Sequence, residues 1–201
     1  MKIEKEYLIE YGDVPRREVE RVSDFLESHN LSRLKTSIFD EIKRINRIEW
    51  KRETFTIYLL PKATPRPRST SNGSFFYVKG AKDNKTFFRK EVDKMDLPFI
   101  TTPCRFKCIS YLPIPKSMKP VDQLLAEYGF IRPISKPDFD NLAKTYADMI
   151  TDVILSDESL VVDGYSSKYY SWKPRIEITI EYMVEHDSVF NKNKNKKKER
   201  M

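Results

Sequence analysis

The chain has 201 residues, 39% of them hydrophobic, 12% aromatic and 33% charged, with a formal net charge of +7. That is ample for one cored domain with an appendage, cramped for two, and too apolar for disorder throughout. No run approaches the roughly 18 apolar residues of a membrane span, and the opening MKIEKEYLIEYGD lacks the profile of a secretion signal, so a soluble cytoplasmic protein is expected.

In chain order, residues 13–46 read as two helices. Asp13 is placed to cap the first, with Pro15 in its opening turn and Val19, Val22, Phe25 and Leu26 as an apolar stripe. After a break at His29 and Asn30, Ser32 is placed to cap a second, striped by Leu34, Ile38, Ile42 and Ile45. Together they are expected to make a hairpin that packs on the rest of the fold or on another subunit, or serves a protein partner.

From Thr54 the period becomes that of a strand, with Phe55, Ile57 and Leu59 alternating. KATPRPRSTSNGSFFYV then gives a proline- and arginine-rich loop, an Asn-Gly turn and a returning strand, a hairpin with a basic flap. Residues 82–95 are read as a helix with Phe87, Phe88, Val92 and Met95 on one side. CRFKCISYLPIP is a strand candidate, SMKPVDQLLAEYG a short helix, and 141–154 a helix striped by Leu142, Tyr146, Met149 and Val153. Strands over 159–171 and 175–184 follow, the latter with Ile176, Ile178, Ile180 and Tyr182 on one face.

The charge is unevenly spread. Residues 191–201 carry six Lys or Arg and one Glu, so the rest of the chain nets only +2, and this low-complexity tail is expected to be disordered. Residues 61–90 carry eight basic groups against Asp83 alone, the footprint of a face that meets a polyanion. Cys104 and Cys108 are the only cysteines, with no second pair to complete a metal site, and buried inert thiols are expected. His29 and His186 stand apart from every motif.

Against this basic background, KPDFDN at 136–141 concentrates carboxylates. Read as an extended segment, it projects Asp138 and Asp140 from one face and turns Phe139 into the core. Such an oxygen pair suits Mg²⁺ or Mn²⁺; an Asp-Asn at a helix start is equally at home as a cap for a helix beginning at Asn141. Lys144 lies one turn further along the same face, Asp148 one turn beyond as a partner for it, and SDESLVV offers Asp157 or Glu158 as a third acid.

KPDFDNLAK, followed by Asp148 and by SDESLVVDGYSSKYYSWKPRIEITI, resembles the signature of RusA-type Holliday junction resolvases, especially those carried by phages and prophages. The resemblance covers roughly residues 54–184 and takes in TPRPRSTSNGSFFYV and YLPIPKSMKP. It implies an α+β fold, a small mixed β-sheet with packed helices, over 51–185; the helical extension 1–50 lies outside the resemblance, and the Lys-rich tail 186–201 follows. It also implies a homodimeric, Mg²⁺- or Mn²⁺-dependent endodeoxyribonuclease that nicks branched DNA in pairs.

On that likeness Asp138 and Asp140 are metal-binding acids and Lys144 is the catalytic lysine. The family's Asp-Asp-Ser segment here reads Asp157-Glu158-Ser159, which leaves open which carboxylate ligates the metal; both are expected in the ligand set, with Asp157 ahead and counted among the catalytic residues. Arg66, Arg68, Lys82 and Lys85 are expected on the DNA backbone, and Lys168 is either a phosphate contact or a solvated strand lysine. The rival reading is a junction-binding protein of the same family without catalysis. A glycosyltransferase using the Asp-x-Asp is disfavoured by the basic flap and the missing nucleotide-binding α/β pattern.

Overall fold

The computed structural model describes residues 16–64, 68–69, 75–76 and 81–185, with backbone alone at 68–69, 75–76 and 81–83. The expected cap at Asp13, Pro15, the Asn-Gly turn and the Lys-rich tail lie outside the described residues. The chain divides into two compact units, with the boundary in sequence between Glu49 and Trp50.

In the first unit, α1 (Arg16–Ser28) is followed by a 3-10 turn (Ser32–Leu34) and α2 (Lys35–Asn46). Asn30 takes φ 55° at the break, a conformation asparagine tolerates better than most residues, and the Leu31 amide closes back on the Leu26 carbonyl at 2.7 Å. Val19 and Phe39 are buried against each other's helices, with Val22 and Ile42 packed beside them. The expected Ser32 cap is not made, because Ser32 opens the 3-10 turn and α2 starts three residues later without a side-chain cap. Leu34 and Ile45, read as part of the stripe, are exposed, and Phe39 is the anchor instead.

The second unit is built on a four-stranded mixed sheet of β1 (Trp50–Ile57), β4 (Cys104–Pro113), β5 (Val161–Ser171) and β6 (Arg175–Met183), in the order β1-β6-β4-β5. β6 is antiparallel to both neighbours, and β4 is parallel to β5. The parallel pair is joined through α4 (Pro120–Glu127) and α5 (Phe139–Ile150), as a parallel connection requires a crossover. Between β1 and β4 come β2 (Arg68–Ser69), β3 (Phe75–Phe76) and α3 (Ala81–Val92).

The returning strand expected in the flap is present: Phe75–Phe76 pairs antiparallel with Arg68–Ser69 as a separate two-stranded sheet, and β1 takes β6 as its neighbour. β6 offers β1 an eight-residue register from Trp50↔Met183 to Ile57↔Ile176, which matches Phe55 with Ile178 on the core side. Two-residue strands cannot compete with that pairing.

One sheet face is covered. Phe55, Ile57, Cys104, Phe106, Cys108, Ile176, Ile178 and Ile180 point into a core closed by Phe88 and Val92 of α3 and by Leu142, Tyr146, Met149 and Ile150 of α5. Each fully buried aliphatic there contributes about 1.5–3 kcal/mol of transfer free energy. Phe87 leaves the expected α3 stripe and is 45% exposed, since it sits beside Phe88 and cannot share its face.

Candidate nuclease site

The acidic motif lies where the crossover enters α5. Lys136–Pro137 is a cis peptide bond, and Asp138 is extended (φ −70°, ψ 147°) at the N-cap position, with α5 beginning at Phe139. The helix therefore starts two residues earlier than an Asn141 start. This overturns the extended reading of the motif: Phe139 is 61% exposed instead of core, and Asp138 and Asp140 straddle a helix start, not one face of a strand. Helix rotation between residues two apart is about 200°. An acid in the first turn is favoured by the partial positive charge of the helix end.

Asp140, Lys144 and Asp148 recur every four residues and so form a row along α5. The Lys144 ammonium donates to Asp148 Oδ1 at 3.2 Å and to both Glu158 oxygens at 3.2 and 3.1 Å. These bonds, Glu158's foremost, hold the Lys144 pKa above its ordinary value, so the side chain is cationic at any physiological pH. Asp157 instead caps the short 3-10 turn Glu158–Leu160, its Oδ1 accepting from the Ser159 amide at 2.8 Å.

A convergence of three acids is not what the structure holds. Among the described residues no group of three or more His, Cys, Asp and Glu side chains is placed to hold a metal ion. The reason is local: Glu158 turns to Lys144 and Asp157 to its own turn. Asp138 makes no side-chain cap bond, its carbonyl alone accepting the Leu142 amide at 3.1 Å, and among the described residues neither the Asp138 nor the Asp140 carboxylate is hydrogen-bonded or ion-paired. Two unengaged, all-oxygen carboxylates suit a hard divalent cation that takes its remaining ligands from water and phosphate.

The root of the basic flap docks on α5 through Tyr146, Thr145 and Asn141. The Lys62 amide donates to the Tyr146 hydroxyl at 3.2 Å, the Thr64 amide to Thr145 Oγ1 at 2.8 Å, and Asn141 Nδ2 to the Thr64 carbonyl at 3.4 Å. Thr145 and Tyr146 are buried, and burial pushes the Tyr146 phenol well above its ordinary value, so it stays protonated. The available signal was two hydroxyls on the inward side of an otherwise apolar helix. The docking leaves a cleft lined by Pro61, Lys62, Ala63, Lys136, Pro137, Asp138 and Asn141, with two lysines beside a free carboxylate.

Another concavity lies on the open sheet face, lined among others by Arg52, Arg105, Lys107, Asp163, Tyr165 and Glu181. Its charges are largely spent: Glu181 takes Arg52 and, at 3.6 Å, Arg105, whose guanidinium also lies 4.4 Å from the Trp50 ring centre.

Of the expected DNA contacts, Arg66 lies outside the described residues, Arg68 is placed by its backbone in β2, Lys82 by its backbone at the start of α3, and Lys85 is exposed on α3. Arg89, counted in the basic run, is used within the fold, donating to the Met149 and Thr151 carbonyls at 3.2 and 2.7 Å where α5 ends. Lys168 is not a solvated strand lysine: its ammonium donates to the Ser135 and Pro137 carbonyls at 2.8 and 2.9 Å. Both thiols are free and buried, and burial raises Cys104 to about 11 and Cys108 to about 12, as inert thiols require. No helix among the described residues is long and apolar enough to cross a membrane.

Residues 59–181 match the model of the family described as Endodeoxyribonuclease RusA. The chain is also similar to a Bacillus subtilis (strain 168) protein named "Uncharacterized protein YqaN", 35% identical over 132 residues that make up 63% of this chain and 93% of that protein. The matched span begins just after β1 and runs through the flap, the α5 acids and β5 into β6, and on that evidence the chain belongs to the RusA endodeoxyribonuclease family.

Proposed function

We propose that the protein is a divalent-metal-dependent endonuclease that resolves four-way DNA junctions by paired, symmetrical nicks, working as a homodimer on DNA in the cytoplasm. The observation that carries this reading is the arrangement on α5: free carboxylates at Asp138 and Asp140, with the Lys144 cation one turn along from Asp140 and the basic flap rooted alongside. A site that both attracts phosphate and offers oxygen ligands is the combination phosphodiester hydrolysis needs. Two-fold assembly suits two incisions across a two-fold junction.

Mg²⁺, or Mn²⁺ in its place, would be held by Asp138, Asp140 and one acid of the Asp157–Glu158 pair; bound, it supplies an activated water and Lewis-acid polarisation of the phosphate. The contact of Glu158 with Lys144 favours Glu158 over Asp157, which is occupied as a cap. The chain's own contribution is Lys144, whose ammonium offsets the charge that builds on the scissile phosphate. Arg66, Arg68, Lys82 and Lys85 hold the flanking backbone, which fixes the position of the strand and carries no sequence information.

The second reading, a junction-binding protein without cleavage, draws on the lack of a ready three-acid group among the described residues. One experiment separates the two. Purified protein with Mg²⁺ or Mn²⁺ is expected to cut a synthetic four-way junction at symmetrical positions, and Asp140→Asn to bind the junction without cutting. Binding without nicking by the unaltered protein in either metal would establish the second reading instead.

A further inference from the structure

The segment that delivers Asp138 is held by β5 in a pattern that its own backbone does not provide. Among the described residues no backbone-to-backbone hydrogen bond joins 132–137 to anything. Instead, alternate carbonyls are taken by side chains of one strand: Ser135 and Pro137 by the Lys168 ammonium at 2.8 and 2.9 Å, and Phe139 by Ser166 Oγ at 3.1 Å. Ser166 and Lys168 are two residues apart on β5 and so share a side of it. They act as a side-chain substitute for a neighbouring strand, gripping the chain on both sides of Asp138.

The other end of the loop is fixed to the same stretch of β5. Arg132 Nε donates to the Lys168 carbonyl at 2.8 Å, and its guanidinium lies 3.4 Å from the centre of the Tyr169 ring. Gly129, at φ +79°, turns the chain out of α4 directly over that ring, where a Cβ would stand 3.4 Å from it.

A lysine serving as a phosphate contact keeps its donors for the ligand. Lys168 is half-buried and commits two of its three donors to carbonyls. We infer that Lys168, with Ser166, is a positioning residue: it sets where the Asp138 carboxylate stands relative to Asp140 and Lys144, and does not bind the DNA backbone. This rests on the reading of Asp138 as a site acid, and its consequence is kinetic, since a displacement of about 1 Å at a reacting centre costs on the order of a hundredfold in rate.

The test compares Lys168→Met and Ser166→Ala with the unaltered full chain. Expected for Lys168→Met is a fall in kcat of about ten- to a hundredfold, with junction Kd within about twofold and the slope of log K against log salt unchanged; Ser166→Ala, which alters no charge, gives a smaller fall of the same kind. A phosphate contact would instead weaken binding and reduce that slope by about 0.9 with kcat retained, and this result overturns the inference, as does no change in any of the three. Should Lys168→Met fail to fold by circular dichroism, Ser166→Ala decides by the same criteria. Should the unaltered protein cut no branched DNA, the proposed function fails, while amide exchange over residues 131–142 still decides this point: faster exchange in the variants supports the clamp, unchanged exchange removes it.

Discussion

Lys144 Nζ donates to both carboxylate oxygens of Glu158, 14 residues away in sequence, and to Asp148 on its own helix. The pairs are solvent-exposed, the Lys144 side chain being 63% accessible, so their net contribution to stability is at most about 1 kcal/mol. Their importance is positional. Glu158→Gln keeps the size and one acceptor but removes the charge, and we expect it to lower junction cleavage by about a hundredfold or more with less than about 1 kcal/mol change in stability. Asp157→Asn should show the converse, a loss of about 1 kcal/mol or less from a weakened cap and cleavage within about tenfold. Single-turnover cleavage and thermal melts of the two variants check this; equal kinetic damage in both would mean that neither acid is singled out by its contact.

The flap's root provides a second prediction. Tyr146→Phe and Thr145→Val each remove the acceptor of a flap amide, Lys62 N and Thr64 N respectively, while preserving shape. Each should cost about 1–2 kcal/mol, because a partly buried N–H is left without its partner. The loss should be concentrated at the flap. Amide exchange over residues 58–66 and junction affinity should both change, with kcat at saturating DNA much less affected.

Under the proposed function, Arg66 and Arg68 act on affinity alone. If both neutralise phosphates, Arg66→Ala combined with Arg68→Ala should reduce the slope of log K against log salt by about 1.8, and weaken binding similarly for junctions of different sequence. Titration of a labelled junction at several salt concentrations measures both quantities. An unchanged slope would assign the flap's charge to solvent.

Where the sequence was readable, it was through periodicity. The α5 stripe of Leu142, Tyr146 and Met149 and the alternation of Ile176, Ile178 and Ile180 in β6 follow from apolar spacing, and the structure buries those residues; the α+β class came with the family resemblance. The position of the acids was legible as a motif but not as geometry. Asp138-Phe139-Asp140 has the spacing of a strand, but a proline followed by an aspartate starts a helix there, so the period is 3.6 and not 2. Contacts that decide the site were invisible for a different reason: Lys168 with Pro137, Tyr146 with Lys62 and Lys144 with Glu158 join residues 14 to 84 apart through side chains, and no local pattern encodes them.

The two cysteines give a prediction that needs no DNA. Cys104 and Cys108 face the core from β4, two turns of the pleat apart on the same side, and burial raises them from an ordinary 9.0 to about 11 and about 12. In the folded protein they should resist alkylation at pH 8 and react fully in denaturant. The same shift links stability to pH. Below about pH 9 both folded and unfolded chains keep these protons, so the thiols contribute no slope. Above it the unfolded chain releases them first, the folded state binds more protons, and stability falls with rising pH by on the order of 1.4 kcal/mol per unit for each thiol until its folded value is passed. Cys108→Ala should flatten the decline in chemical-denaturation stability between pH 9 and about 12 relative to the unaltered chain. An unchanged decline in that variant would assign the alkaline loss to other groups and place the thiol outside the sealed core.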